Sequence, residues 1–209
     1  MSVSRVLPMF PLGTVLFPHA GLPLHVFEPR YRIMTEQVLR ADGEFGVVLI
    51  ERGSEVGGGD TRFAVGTVAR ILRAQELPDG GYALATVGVR RIRVARWLPD
   101  APFPQAEVVD LDDGPAPADN AELRARAVTA LADVCELYRR TDPRIPELPA
   151  IHGDAELASY EIAALAPIGP LDAQRALETG HAGDRLIMLA ELLEEHARVL
   201  WSGDFLPPE

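Results

Sequence analysis

The residues able to carry chemistry in this sequence are few, and their spacing suits catalysis poorly. The five serines, at 2, 4, 54, 159 and 202, lie in no G-x-S-x-G elbow, and the five histidines, at 19, 25, 152, 181 and 196, show no H-E-x-x-H spacing. Lysine is absent, so all 20 basic residues are arginine. Glycines 57 to 59 lie in RGSEVGGGDT (52 to 61), but no lysine and no helix N-terminus follows them. A mobile loop is expected there, not a phosphate cradle. The single Cys135 permits no internal disulfide and no cysteine-based zinc site; set among Leu131, Val134 and Tyr138, it reads as a buried thiol in a reducing compartment. These positions give no catalytic residue, no metal site and no cofactor.

Two polar groupings remain. In Phe27-Glu28-Pro29-Arg30, Glu28 stands at the first turn of a helix, where a carboxylate meets unpaired N–H groups and the positive end of the dipole. Arg30 stands two positions on, able to clamp a neighbouring carboxylate or carbonyl. The pair reads either as a structural clamp or as a ligand clamp in a cleft, and without a third group it is no catalytic pair. The second grouping is Arg91 and Arg93, which alternate with Ile92 and Val94. The charged side is either the solvated face of a sheet or an arginine site for a carboxylate.

The elements that must position these groups begin at LPMFPLGTVLFPHAGLPLHVFEPRYRIM, residues 7 to 34. Its apolar residues come in short bursts cut by prolines 8, 11, 18, 23 and 29, which forbid one long helix and leave short strands joined by tight turns. From Pro29 the spacing of Tyr31, Met34 and Val38 predicts a helix over 29 to 40. FGVVLIE (45 to 51) reads as a strand buried on both faces. Phe63 to Leu77 and Tyr82 to Trp97 read as a long hairpin around Pro78-Asp79-Gly80-Gly81, with a bulge at Gly88, and Phe103 to Leu111 as a last strand.

Residues 112 to 120 (DDGPAPADN) form a proline-rich acidic linker between a β domain, 1 to 111, and a helical sub-domain, 121 to 209. Helices are predicted over about 120 to 141, 155 to 166, 171 to 179 and 184 to 201, packed as a small bundle or on the sheet. The expected fold class is α+β, a mostly antiparallel barrel-like sheet with one short helix followed by helices.

Composition narrows the function. A hydrophobic fraction of 47% in 209 residues supports a core. Residues 1 to 111 hold 12 arginines against 12 acids, and 112 to 209 hold 8 against 19, so the whole net charge of −11 lies in the second part. No basic footprint for nucleic acid results. The opening MSVSRVLPMFPL is too broken for a signal peptide, and no apolar run is long enough to span a membrane, so a cytoplasmic protein without membrane partners is expected.

PLGTVLFP and LPLHVFEPRYRIM, then FGVVLIERG, VGTVARILRAQELPDGG, VGVRRIRV and, later, LDAQRALETGHAGDRLIMLAELLEEH resemble, in order, the N-terminal substrate-binding domain of Lon proteases in its stand-alone form. The resemblance implies a PUA-like β-barrel and a role in capturing unfolded or tagged polypeptides for protein quality control, with a separate protease or adaptor as a partner. A full Lon protease needs a P-loop lysine and a serine activated by lysine, and a lysine-free chain supplies neither.

A polypeptide-binding surface is expected from Phe17, Leu22, Leu24, Phe27 and Tyr31, because the proline-broken segments cannot bury all of these in one short sheet. Tyr31 is also a natural core residue. The alternative is an interaction scaffold that takes no unfolded client; the sequence leaves the oligomeric state open. The purified protein is expected to hydrolyse neither ATP nor casein above a mock preparation. Turnover that survives repurification overturns the non-catalytic reading.

Overall fold

The computed structural model describes residues 4–53, 61–114 and 120–202. Most of the glycine-rich loop 52 to 61 and of the linker 112 to 120 lies outside the described residues. The described chain runs β1 (Arg5–Leu12), β2 (Gly21–Val26), α1 (Pro29–Arg40), β3 (Glu44–Arg52), β4 (Thr61–Glu76), β5 (Tyr82–Leu98) and β6 (Gln105–Leu111). It continues through α2 (Ala121–Thr141), α3 (Ala155–Leu165), α4 (Pro170–Glu178) and α5 (Ala182–Ser202). It divides into two compact units, one of Met1–Asp112 with Pro170–Glu178, the other of Asp113–Gly169 with Thr179–Glu209.

In the first unit the six strands are ordered β2-β5-β4-β3-β1-β6, and a further pairing of β5 with β6 closes the sheet into a barrel. Every pairing is antiparallel except β1 with β3. Closure depends on the length of β5: Tyr82 to Val87 pair with β2, Arg91 to Leu98 with β6, and β4 runs beside both parts. The exchange of neighbours falls at Gly88, where the β4 register skips Val89 as a bulge. There the loop 13–20 crosses the strand. His19 donates to the Gly88 carbonyl (2.8 Å), Gly88 donates to that of Ala20 (2.9 Å), and Thr67 Oγ1 donates to that of Leu16 (2.5 Å). A Cβ on Gly88 would collide with the Phe17 carbonyl, so this crossing requires glycine.

The prolines of β1 sit where they remove no ladder bond. Arg5 to Pro8 pair with β6, and pairing with β3 starts at Met9. Met9 donates towards β6, to the Pro104 carbonyl at 2.8 Å. By alternation, the nitrogen of Pro8 faces the β3 side before that ladder begins, and that of Pro11 faces the β6 side after that ladder has ended. From Met9 onward both faces of β1 are buried. Leu7 and Met9 point into the barrel with Val48, Val68 and Ile92, while Phe10 and Leu12 lie under α1 with Tyr31, Met34 and Val38. β3 is divided in the same way, Val48 inward and Phe45 and Val47 under α1, as its continuous apolar run requires.

Glu44 is buried at one barrel rim and accepts Arg90 at 2.6 Å and Arg70 at 2.7 Å; Asp110 takes Arg5 and Arg90. Arg91 corrects the expectation of a solvated charged face. Only 3% exposed, it donates to the carbonyls of Leu177 (2.9 Å) and Asp112 (3.4 Å), and Gln174 donates to that of Val65 (3.0 Å). The last carbonyls of α4 lack intrahelical donors, and a strand guanidinium serves one of them. Helix α4 therefore belongs with the strands and not with the other C-terminal helices. Arg93 is exposed.

In the second unit α2, α3 and α5 bury Leu131, Val134, Ile162, Leu186, Leu189 and Leu193. Arg185 is fully buried, held by Ser159 Oγ (2.7 Å), the Thr179 carbonyl (2.7 Å) and Asp113 (3.2 Å), with its guanidinium 4.0 Å from the centre of the Tyr160 ring. Cys135 is half-buried, and burial pushes its thiol pKa up against an opposing effect of Arg139.

Gly88→Ala is expected to lower stability by about 1–3 kcal/mol, because backbone fills the space that the new methyl needs. Urea unfolding with an unchanged midpoint removes the role given to this crossing.

Candidate functional site

Strand β2 and the start of α1 build a small concavity. Along β2 the side chains alternate: Leu22 and Leu24 are half-buried and Val26 is buried, while Pro23, His25 and Phe27 point outward. Pro29 begins α1, preset for a first helical position. The Glu28 carbonyl accepts the N–H groups of Tyr31 (3.1 Å) and Arg32 (3.0 Å). The helix therefore starts directly after the strand, and Tyr31 turns under it to stack on Phe10, with ring centroids 4.1 Å apart and planes 11° apart. Phe10, Leu12, Leu24, Val26 and Tyr31 give the concavity an apolar lining, and Pro23, His25, Phe27 and Glu28 complete it, around about 180 Å³.

The residues expected at a binding surface divide between surface and core. Phe27 is 55% exposed, and His25 lies beside it with ring centroids 6.0 Å apart. Leu24 lines the concavity, and Leu22 packs against the same core cluster. Phe17 is 3% exposed, which corrects its expected place at the surface: the crossing at Gly88 draws the loop 13–20 onto the barrel. Tyr31 is 2% exposed and contributes to the lining as a core ring. Phe10, Leu12, Pro23, His25 and Val26 are the lining residues that sequence reasoning missed; of these, Phe10 and Leu12 come from a different strand. Their apolar burst marks a strand, but only the fold brings it beside Tyr31.

Glu28 and Arg30 are paired with each other. Arg30 Nε donates to Glu28 Oε2 at 3.1 Å, and the guanidinium lies 4.5 Å from the centre of the Tyr31 ring. The Glu28 side chain makes no capping hydrogen bond. Its partner is the arginine, so the carboxylate ties the helix start to the stacked rings instead of to the helix N–H groups.

Among the described residues β2 pairs with β5 alone. Gly88 donates to Ala20 and Thr86 Oγ1 to the Leu22 carbonyl, so Leu22, Leu24 and Val26 turn their backbone groups to β5 and Gly21, Pro23 and His25 turn theirs outward. Pro23 removes a donor from the middle of that outer edge, which blunts it against strand addition. The arrangement offers side-chain anchoring in an apolar hollow. Among the described residues no three His, Cys, Asp or Glu side chains group as a metal site, and no helix is long and apolar enough to cross a membrane.

Phe27→Ser is expected to change stability by no more than about 0.5 kcal/mol. Phe17→Ala is expected to cost about 3–5 kcal/mol, because it empties a packed site. Denaturant titration of both variants separates rim from core, and equal losses contradict the assignment.

Comparison with known proteins bears on the family of the chain. Residues 6–195 match the family model described as the ATP-dependent protease La (LON) substrate-binding domain. Lon protease 2 of Myxococcus xanthus is 30% identical over 208 residues, covering 95% of this chain and 24% of that protein. Lon protease of Escherichia coli K12 is 27% identical over 198 residues, covering 93% and 25%. The chain thus spans about a quarter of the length of these curated relatives.

Among solved structures, a Lon N-terminal domain protein from Xanthomonas campestris superposes with a TM-score of 0.65 at 26% identity, covering 90% of this chain and 98% of that one. The N-terminal domain of Mycobacterium avium complex Lon protease gives 0.62 at 17% identity, covering 97% and 100%, which speaks to fold alone.

Proposed function

The chain belongs to the LON substrate-binding domain family, and we propose that it is a non-catalytic module that binds unfolded or partly folded polypeptides and presents them for protein quality control. The observation that carries this reading is the exposed Phe27 ring beside an apolar hollow of about 180 Å³ lined by Leu24, Val26 and the Phe10–Tyr31 stack. An aromatic ring more than half exposed beside a preformed apolar concavity fits a transient ligand better than a finished core. Leu22 and Leu24 extend the apolar surface, and the Glu28–Arg30 clamp holds the hollow in shape.

The chemistry is that of binding. The seryl and histidyl groups lie in no nucleophile–base pattern, and the chain contains no lysine for a P-loop or a Ser-Lys pair. A client side chain entering the hollow contributes about 1.5–3 kcal/mol before association costs, so a single site gives micromolar affinity at best. Capture followed by easy release suits a module that hands clients to a separate protease or adaptor in the cytoplasm. Nucleic acid and membrane surfaces are not partners in this reading, and no cofactor is required.

Titrating a labelled, permanently unfolded protein and a folded control at two salt concentrations tests the proposal. Saturable binding to the unfolded chain alone, little changed by salt and about tenfold weaker for Phe27→Ser, is the expected result. Equal binding to both chains, or none to either, leaves an interaction scaffold as the better reading.

A further inference from the structure

A second concavity, of about 410 Å³, lies at the other end of α1. Val6, Leu7, Val38 and Ala41 give it apolar walls, and Asp42 and Glu44 give it acidic ones. The two carboxylates differ. Glu44 is buried and held by Arg70 and Arg90, whereas Asp42 is exposed. Among the described residues Asp42 accepts only the Glu44 N–H, at 3.1 Å, and is paired with no cation.

Other features favour the same kind of ligand. The carbonyl end of α1 reaches this place: the Val38 carbonyl takes the N–H groups of Ala41 and Gly43, both at 3.1 Å, and the following carbonyls have no intrahelical donor. That end carries the negative pole of the helix dipole, which favours a cation. The arginines nearest in sequence and pairing are already engaged, Arg40 with Glu36 and Arg5 with Glu44 and Asp110. Val6 is 51% exposed, and its backbone groups face the side on which β1 has no strand neighbour before Met9. An extended chain laid there meets an unused donor and acceptor beside apolar walls.

We propose that this concavity takes a lysine or arginine side chain of an extended, unfolded client. The methylenes lie against Val6, Val38 and Ala41, and the cationic head meets Asp42 and the last carbonyls of α1. A long basic side chain suits such a place because its stem is apolar and its head is charged. The inference rests on the polypeptide-binding reading and adds a preference to it: clients whose apolar segments carry a basic residue are held more tightly than those carrying an acidic one.

The test uses the full chain, labelled for amide NMR, and three unstructured Gly-Ser peptides with the core Leu-Leu-X-Leu-Leu, where X is Lys, Gln or Glu. The Lys peptide is expected to shift the amides of Val6, Ala41 and Gly43 and to bind about two- to fivefold more tightly than the Gln peptide, with the Glu peptide weakest. Asp42→Asn keeps an oxygen that accepts the Glu44 N–H, so the turn is retained. This variant is expected to erase the advantage of Lys over Gln and leave the Gln peptide unaffected.

Equal affinities for the three peptides overturn the inference while leaving polypeptide binding intact. So do shifts confined to Leu24, His25 and Phe27 together with an inert Asp42→Asn. Failure of all three peptides to bind the unaltered chain defeats the polypeptide-binding reading and this inference with it.

Discussion

The barrel and the hollow beside it both depend on the exchange of partners along β5. A strand of 17 residues can pair with β2 in its first part and β6 in its second only if something interrupts the ladder between them. The interruption is Gly88, where a bulge and a crossing loop occupy the same point. Because the Phe17 carbonyl comes too close for any side chain there, the loop 13–20 is fastened to the barrel by its backbone. This fastening sets where β2 begins, and β2 in turn sets which side chains face the start of α1. A concave surface made of short, proline-broken segments thereby acquires a fixed shape without a large core of its own.

Proline serves this architecture in several ways, each following from its missing N–H and fixed φ. Pro8 and Pro11 occupy positions in β1 where one ladder has not begun or the other has ended, so they cost the strand no ladder hydrogen bonds. Pro23 lies on the outer edge of β2 and discourages pairing with a passing chain. Pro29 begins the helix that roofs Phe10 and Leu12. A protein that exposes apolar groups to unfolded chains risks joining their aggregates. On the proposed function, the proline-blunted edge of β2 would allow side-chain capture at the hollow without pairing a client to that edge.

Much of this was legible in the residues. The strand and helix ranges, the long hairpin and the closing helices follow from periodicity and from Pro and Gly punctuation, and the ordered blocks pointed to the family. What was illegible depended on contacts distant in sequence. That Phe17 is core and Phe27 is rim cannot be read from two aromatics in similar apolar bursts; the backbone bonds between the loop 13–20 and β5 decide it. Arg91 and Arg93 look alike in an alternating strand, yet α4 buries the first and leaves the second in water. Arg185 lies in a helical stretch with no sign that it will be enclosed by Ser159, Asp113 and Tyr160.

Reliance on arginine carries a consequence for function. A guanidinium is planar, stays charged and offers five donors, so it can serve several acceptors at fixed angles while buried. Here that capacity is used for architecture: Arg91 meets a helix carbonyl, Arg70 and Arg90 hold Glu44 at the barrel rim, and Arg185 collects four partners inside the helical unit. Lysine, whose pKa shifts readily on burial and which serves as base or nucleophile, is absent. Several arginines are therefore committed to fixed architectural partners, and in the proposed function the surface between β2 and α1 relies mainly on apolar contact. On that proposal, such a surface would discriminate between ligands by the amount of apolar area they expose, which is the property that separates an unfolded chain from a folded one.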